Sequence, residues 1–229
     1  MSPRRLLLFD IDGTLVWGGP AKEAFQSAML EVFGTAGPIE GHDFAGKTDP
    51  QIARELLHGA GFSEAEVAAG FPGLWELYLG GLERRLPERP MTTLPGVEAL
   101  LAVLTELEDV ALGLVTGNIA GGARLKLGSV GLHGLFRVGG YGSDHEARNH
   151  LPGIAIQRAR QEWGVPFEVD QVVVVGDTPR DVECGRLEGT RTVAVATGRF
   201  DFEALRAAGA DHTFRDFTDT DQVLEVVLG

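Results

Sequence analysis

The sequence predicts an α/β fold, a parallel-sheet core interrupted by an inserted all-helical cap domain, and three observations carry that prediction. Apolar, β-branched runs recur at residues 6–12, 110–116, 172–176 and 192–196, with shorter ones at 139–142 and 211–214. Helical patterns fill the gaps, over 96–107, 119–128, 153–163, 180–187, 202–208 and 221–228. From about residue 18 to residue 92 the alternation stops, and helix follows helix over 22–33, 50–60, 64–69 and 74–86, with Gly- and Pro-rich turns between. Strands of Val, Leu and Ile alternating with helices imply a Rossmann-like parallel sheet covered on both faces. Residues 1–17 and 93–229 are therefore expected to form the core and 18–92 the cap, with linkers near 16–20 and 86–94.

The first strand, Leu6-Leu7-Leu8-Phe9, runs into Asp10 and Asp12. Carboxylates at i, i+2 project from one face of a strand or converge where it frays. Two such charges repel unless a cation or a shared proton lies between them. Gly13 then permits a sharp turn and Thr14 adds a hydroxyl. The helical insertion follows directly, where a hinged segment can act as a lid over a site.

The second long strand ends at Thr116-Gly117-Asn118, opening toward a helix. The Thr116 hydroxyl and the N–H groups of Gly117 and Asn118 could bind a phosphoryl group at that helix N-terminus. Read alone, the same residues make a capped turn. Pro95 and Pro152 stand where a first helical turn tolerates proline. The four-valine run 172–175 delivers Asp177 at its end, with Asp181 four residues on. The two acids face one cleft if a helix opens after Thr178, although Asp181 also reads as a helix-start acid. Hard oxygen donors of this kind suit Mg2+. Ligands of open parallel sheets bind outside the carboxyl ends of the strands, which gathers Asp10, Asp12, Thr116 and Asp177 along one edge.

Composition removes several classes of function. No stretch approaches the ~20 apolar residues of a membrane span. Arg4-Arg5 before Leu6–Phe9 imitates a secretion signal, but the apolar segment is too short and Asp10 interrupts it. Cys184 is the single cysteine, so an intramolecular disulfide and a thiolate-rich zinc site are excluded. It reads as a buried structural thiol and suits a reducing cytoplasm. A net charge of −13 leaves no basic surplus for nucleic acid. Small phosphorylated substrates stay open, because a bound cation can make one site locally positive. Oligomeric state is not legible.

The segments Asp10-Ile11-Asp12-Gly13-Thr14, Thr116-Gly117-Asn118 and Gly176-Asp177-Thr178-Pro179-Arg180-Asp181, in that order and at wide spacing, resemble the signature motifs of the haloacid dehalogenase-like hydrolase superfamily. The insertion is similar to the cap of its phosphoglycolate phosphatase-like and β-phosphoglucomutase-like branch, with Gly46-Lys47-Thr48-Asp49-Pro50-Gln51-Ile52 similar to a cap segment of phosphatases there. The resemblance implies that Asp10 is the nucleophile, forming an aspartyl-phosphate. It implies that Asp12 protonates the leaving alcohol and then takes a proton from the hydrolytic water. Mg2+ would be held by Asp10, the backbone carbonyl of Asp12 and Asp177, with Asp181 behind them or acting through water. Thr116, Gly117 and Asn118 would hold the phosphoryl oxygens.

One position departs from the family pattern, which has a lysine upstream of the last acidic motif. No lysine occurs after Lys126, and Arg148, just before a helix, takes the expected place. Arginine keeps the charge and adds a planar fork. Asn149 and His150 are further candidates, and Lys126 is expected to be a solvated helix lysine.

The implied activity is Mg2+-dependent hydrolysis of a small phosphorylated metabolite, with phosphoglycolate the candidate. Lys47 and Arg54 either meet a substrate carboxylate from the cap or remain solvated charges. Asp12 speaks against carbon–halogen cleavage, which protonates no leaving alcohol. A phosphomutase and a catalytically silent phosphate-binding module are the alternatives.

Overall fold

Leu6, Leu7, Leu8 and Phe9 point alternately to the two faces of a sheet, and both faces are buried. That alternation sets the architecture in a computed structural model describing residues 3–229. Leu7 and Phe9 join one apolar cluster and Leu6 and Leu8 another; Val173 and Val175 part from Val172 and Val174 in the same way. A strand buried on both sides reads as a continuous apolar run, which is why these segments were legible.

In chain order the elements are β1 (Arg5–Phe9), β2 (Val16–Gly18), α1 (Ala21–Phe33), α2 (Asp49–Gly59), α3 (Glu64–Arg85), β3 (Met91–Thr93), α4 (Val97–Thr105), β4 (Val110–Thr116), α5 (Ala120–Gly128), β5 (Val138–Tyr141), α6 (Leu151–Trp163), β6 (Val172–Gly176), α7 (Pro179–Glu188), β7 (Arg191–Val195), α8 (Phe202–Ala207), β8 (His212–Phe214) and α9 (Thr220–Leu228). Six strands form an all-parallel sheet in the order β5-β4-β1-β6-β7-β8. Helices α4, α5 and α9 cover one face, and α6 with Cys184 of α7 covers the other. The strand order reverses at β1, so the carboxyl ends of β1, β4 and β6 border the crevice where such sheets bind ligands.

The first strand is shorter than the apolar run suggested. Asp10 N–H still donates to Val175, but Gly13, at φ +88°, folds the chain back to donate to Val16. Asp12 meets Val16 only in an isolated bridge.

Two expectations for the insertion are corrected. The segments 64–69 and 74–86 are one helix, α3, running unbroken through Pro72. Proline in a helix interior costs ~3 kcal/mol, and here the buried stripe Val67, Leu74, Tyr78 and Leu82 outweighs it. The Ser63–Glu66 capping box starts the helix. The segments read as linkers pair with each other, β2 antiparallel to β3 with Trp17 opposite Thr92. The sequence-derived boundaries at 17/18 and 92/93 thus fall inside a two-stranded ribbon.

Candidate active site

Each strand that ends at the crevice hands over a polar side chain because its sequence changes there from apolar to turn-forming. After β1 comes Asp10, 5% exposed; β4 ends in Thr116, 1% exposed; after β6 comes Asp177, 3% exposed. Thr178 then caps α7 and Pro179 opens it. The Thr178 side chain accepts the Asp181 N–H, and Asp181 Oδ2 accepts the Thr178 N–H at 3.0 Å and hydroxyl at 2.7 Å. Asp181 is thereby the helix-start acid that its position suggested. It also lies beside Asp10 and Asp177, behind the residues that line the cavity.

Carboxylate oxygens of Asp10, Asp177 and Asp181 lie within 4.8 Å of one another. Arg148 enters from a single 3-10 turn ahead of α6, 6% exposed, with Nη2 2.5 Å from Asp181 Oδ1 and 3.0 Å from Asp10 Oδ1. The same nitrogen reaches the Val115 carbonyl at 3.3 Å, and Nη1 reaches that of Gly46 at 3.4 Å. Thr14 donates to Asp177 Oδ1 at 3.1 Å. Burial pushes the Asp10 carboxyl up to about 6 against the opposing charge of Arg148, with Asp181 and Asp12 adding to the rise. Burial, and then the charges of Asp10 and Asp181, raise Asp177 well above the usual carboxylate range.

Three buried carboxylates share one guanidinium, a deficit of two positive charges. A divalent cation with oxygen ligands meets both the deficit and the donor type. Asp10 and Asp177 are the better placed to hold it, since both oxygens of Asp181 are taken by Arg148 and Thr178.

Asp12 stands apart from that cluster. Its Oδ2 accepts Asn118 Nδ2 at 2.7 Å and Lys126 Nζ at 2.6 Å. Lys126 is 5% exposed, not the solvated lysine expected from sequence. A signal for this existed: Gly122, Ala123, Lys126 and Leu127 share the buried face of α5 at helical spacing, so the periodicity placed Lys126 inward. Asn118 Nδ2 also donates to Thr116 Oγ1 at 2.8 Å, tying the second motif to Asp12. Asn149 and His150 are exposed.

A cavity of about 520 Å³ lies over these groups, lined in part by Phe25, Phe44, Lys47, Asp49 and Tyr78 of the insertion. The 46–49 segment docks on the β4–α5 loop: Asp49 N–H donates to the Gly117 carbonyl at 2.8 Å, and Asp49 Oδ2 accepts the Ile119 N–H at 2.9 Å. A Cβ at Gly117 would lie 2.0 Å from the Lys47 carbonyl oxygen, so only glycine admits that contact. Thr48 Oγ1 donates to the Glu146 carbonyl at 2.7 Å. Thr48 and Asp49 belong to the 46–52 segment singled out in the sequence, but their docking role is not legible there, because nothing local marks a side chain that bonds a backbone seventy or more residues away. Lys47 lines the cavity with its ammonium on Glu55 at 2.5 Å. Arg54 turns instead to Glu146 at 2.8 Å and to Glu64. Cys184 is buried, which pushes its thiol up to about 12.

Comparison with known proteins matches residues 7–195 to the family described as haloacid dehalogenase-like hydrolase. The chain is similar to a phosphoglycolate phosphatase of Synechococcus elongatus, 30% identical over 207 residues and 90% of each chain. It is also similar to an N-acetylmuramic acid 6-phosphate phosphatase of Pseudomonas aeruginosa, 29% identical over 85% of this chain and 82% of that one. The fold matches that of a hydrolase from Pseudomonas syringae, with a TM-score of 0.72, 21% identity and coverage of 97% and 98%. The chain belongs to the haloacid dehalogenase-like hydrolases and is an enzyme of their phosphatase kind.

Proposed function

We propose that this enzyme hydrolyses a small phosphorylated metabolite through an aspartyl-phosphate on Asp10, with Mg2+ as its cation and phosphoglycolate as the first substrate to test. The observation that carries the reading is the convergence of Asp10, Asp177 and Asp181, with Arg148 bound to Asp10 and Asp181, beside a cavity lined in part by the insertion. Relatives named as phosphoglycolate phosphatases motivate the choice of substrate. Residues 18–92 are proposed as the cap domain that selects it.

In this reading an Asp10 carboxylate oxygen attacks phosphorus as the bond to the leaving oxygen breaks, and Asp12 gives that oxygen a proton. Asp12 then takes a proton from water, which attacks the phosphoaspartate and frees inorganic phosphate and Asp10. Arg148, held by Asp181, stands beside the nucleophile and offers a second N–H face to a phosphoryl oxygen. Thr116 with the amides of Gly117 and Asn118 would bind the remaining oxygens through the transition state. Asp10, the Asp12 carbonyl and Asp177 would hold Mg2+, which when bound supplies charge neutralisation between carboxylates and phosphate.

Phosphate release from a panel of phosphometabolites, with Mg2+ or EDTA and beside Asp10→Asn, tests this. Release from at least one ester, abolished by EDTA and by Asp10→Asn, is the expected result. Equal turnover in the variant removes Asp10 as nucleophile, and isomerisation stimulated by a sugar bisphosphate without phosphate release would point to a mutase.

A further inference from the structure

Lysine is almost never fully buried unless it is paired, and Lys126 has one ion-pair partner among the described residues, Asp12. Neither the composition nor the packing of α5 needs a charge there. The helix is otherwise buried through Gly122, Ala123 and Leu127, and an apolar side chain would complete that face. The ammonium has been brought to one atom, Asp12 Oδ2, which it shares with the Asn118 amide.

That double grip fixes the geometry of the carboxyl group. Both donors arrive at Oδ2, at 2.6 and 2.7 Å, while Oδ1 has no hydrogen-bond partner among the described residues. The Asp12 side chain is 43% exposed and lines the cavity. A proton carried by this group therefore belongs on Oδ1, because the lone pairs of Oδ2 already accept N–H donors. The clamp also keeps Asp12 off the Asp10, Asp177 and Asp181 cluster, where a fourth carboxylate would be repelled.

We propose that Lys126 is a positioning residue for Asp12, clamping Oδ2 with Asn118 so that Oδ1 presents the proton to the leaving oxygen. The inference rests on the reading of Asp12 as proton donor given above. In the step concerned, the Asp10–phosphorus bond forms, the phosphorus–oxygen bond to the alcohol breaks, and the proton on Asp12 Oδ1 moves to the departing oxygen. Lys126 gives up nothing. It acts only by holding Asp12, and a misplacement of ~1 Å can cost ~10²-fold in rate.

The test exploits leaving groups. An alkoxide needs the proton as it departs, whereas 4-nitrophenolate is stable without one. Initial rates are measured for wild type, Lys126→Met, Lys126→Arg and Asp12→Asn with β-glycerophosphate and with 4-nitrophenyl phosphate, and thermal unfolding is followed for each. We expect Lys126→Met to lower kcat on the alkyl ester by ~10²-fold with KM little changed, and on the aryl ester only a few-fold. Asp12→Asn should show the same contrast more strongly, and Lys126→Arg should recover part of the alkyl-ester rate. Equal losses on the two esters, or a raised KM at unchanged kcat, would overturn the role. If Lys126→Met does not fold, Lys126→Gln, which keeps an N–H donor at this position, is read for the same contrast. If β-glycerophosphate is not turned over, the alkyl ester of the panel above that is turned over takes its place. Wild type inert toward the whole panel would count against the phosphatase reading itself, a result distinct from an active wild type whose Lys126 variants show no contrast.

Discussion

Asp181 shows how one side chain can satisfy two readings at once. Its Oδ2 closes the capping box of α7 and its Oδ1 fixes Arg148, so a helix-start acid is also a pillar of the site. Asp49 is a second such residue, starting α2 while latching the Ile119 N–H of the core. Burial pushes its carboxyl from 3.8 up to about 6, with Lys126 and the Ile119 bond opposing. A carboxyl whose folded value is raised contributes stability below its unfolded value, and that contribution is lost as pH rises through the folded one. Asp49→Asn keeps an acceptor for Ile119 and removes the titration. Relative to wild type it should therefore gain of order 1 kcal/mol between about pH 4 and pH 7, a figure reduced because Asp49 keeps some cavity-facing surface. Urea unfolding at both pH values measures this, and a constant difference between the two proteins would exclude it.

Among elements, α3 shows tertiary packing overriding a local signal. Gly70-Phe71-Pro72-Gly73 reads as a break, because proline removes a backbone donor and glycine is a poor helix former. The helix persists because Val67, Leu74, Tyr78 and Leu82 form one continuous apolar stripe. Gly70 lets Phe33 of α1 approach so closely that a Cβ there would lie 2.2 Å from the ring. Pro72 is thus tolerated rather than required. Pro72→Ala restores the bond from residue 72 to the Ala68 carbonyl and should stabilise the protein by ~2 kcal/mol, the helix gain less the lost stiffness of the unfolded chain. The readout is the midpoint of urea unfolding. A lower midpoint would mean that α1 and α3 pack against a bend that proline sets.

At the scale of the molecule, one apolar cluster runs from the sheet through α4 and α5 into the insertion, so residues of the sheet and of the insertion bury a shared surface. The crowded carboxylates beneath it should make cation binding visible as stability. Mg2+ at ~100 times its dissociation constant adds ~2.7 kcal/mol if it binds only the folded chain. We expect Mg2+ to raise the Tm of wild type and EDTA to reverse the rise. Asp177→Asn should lose most of that increment, yet be no less stable than wild type without the ion, because it relieves a buried repulsion. A Tm insensitive to Mg2+ would remove the cation from the proposal.

The sequence by itself determined the strands of the six-stranded sheet, the helices that alternate with them, the carboxylates at the strand ends and the place of Arg148 ahead of a helix. It could do so because an apolar run buried on both faces, followed by an acid and a glycine, is a local pattern. Only the tertiary structure decided that the two linkers pair as a ribbon, that Pro72 lies inside a helix, that Lys47 meets Glu55, and that Lys126 turns inward to Asp12. Each of these depends on a partner distant in sequence or on a competing packing energy. The charge of a lone lysine on a helix says solvent until a carboxylate more than a hundred residues away is brought to meet it.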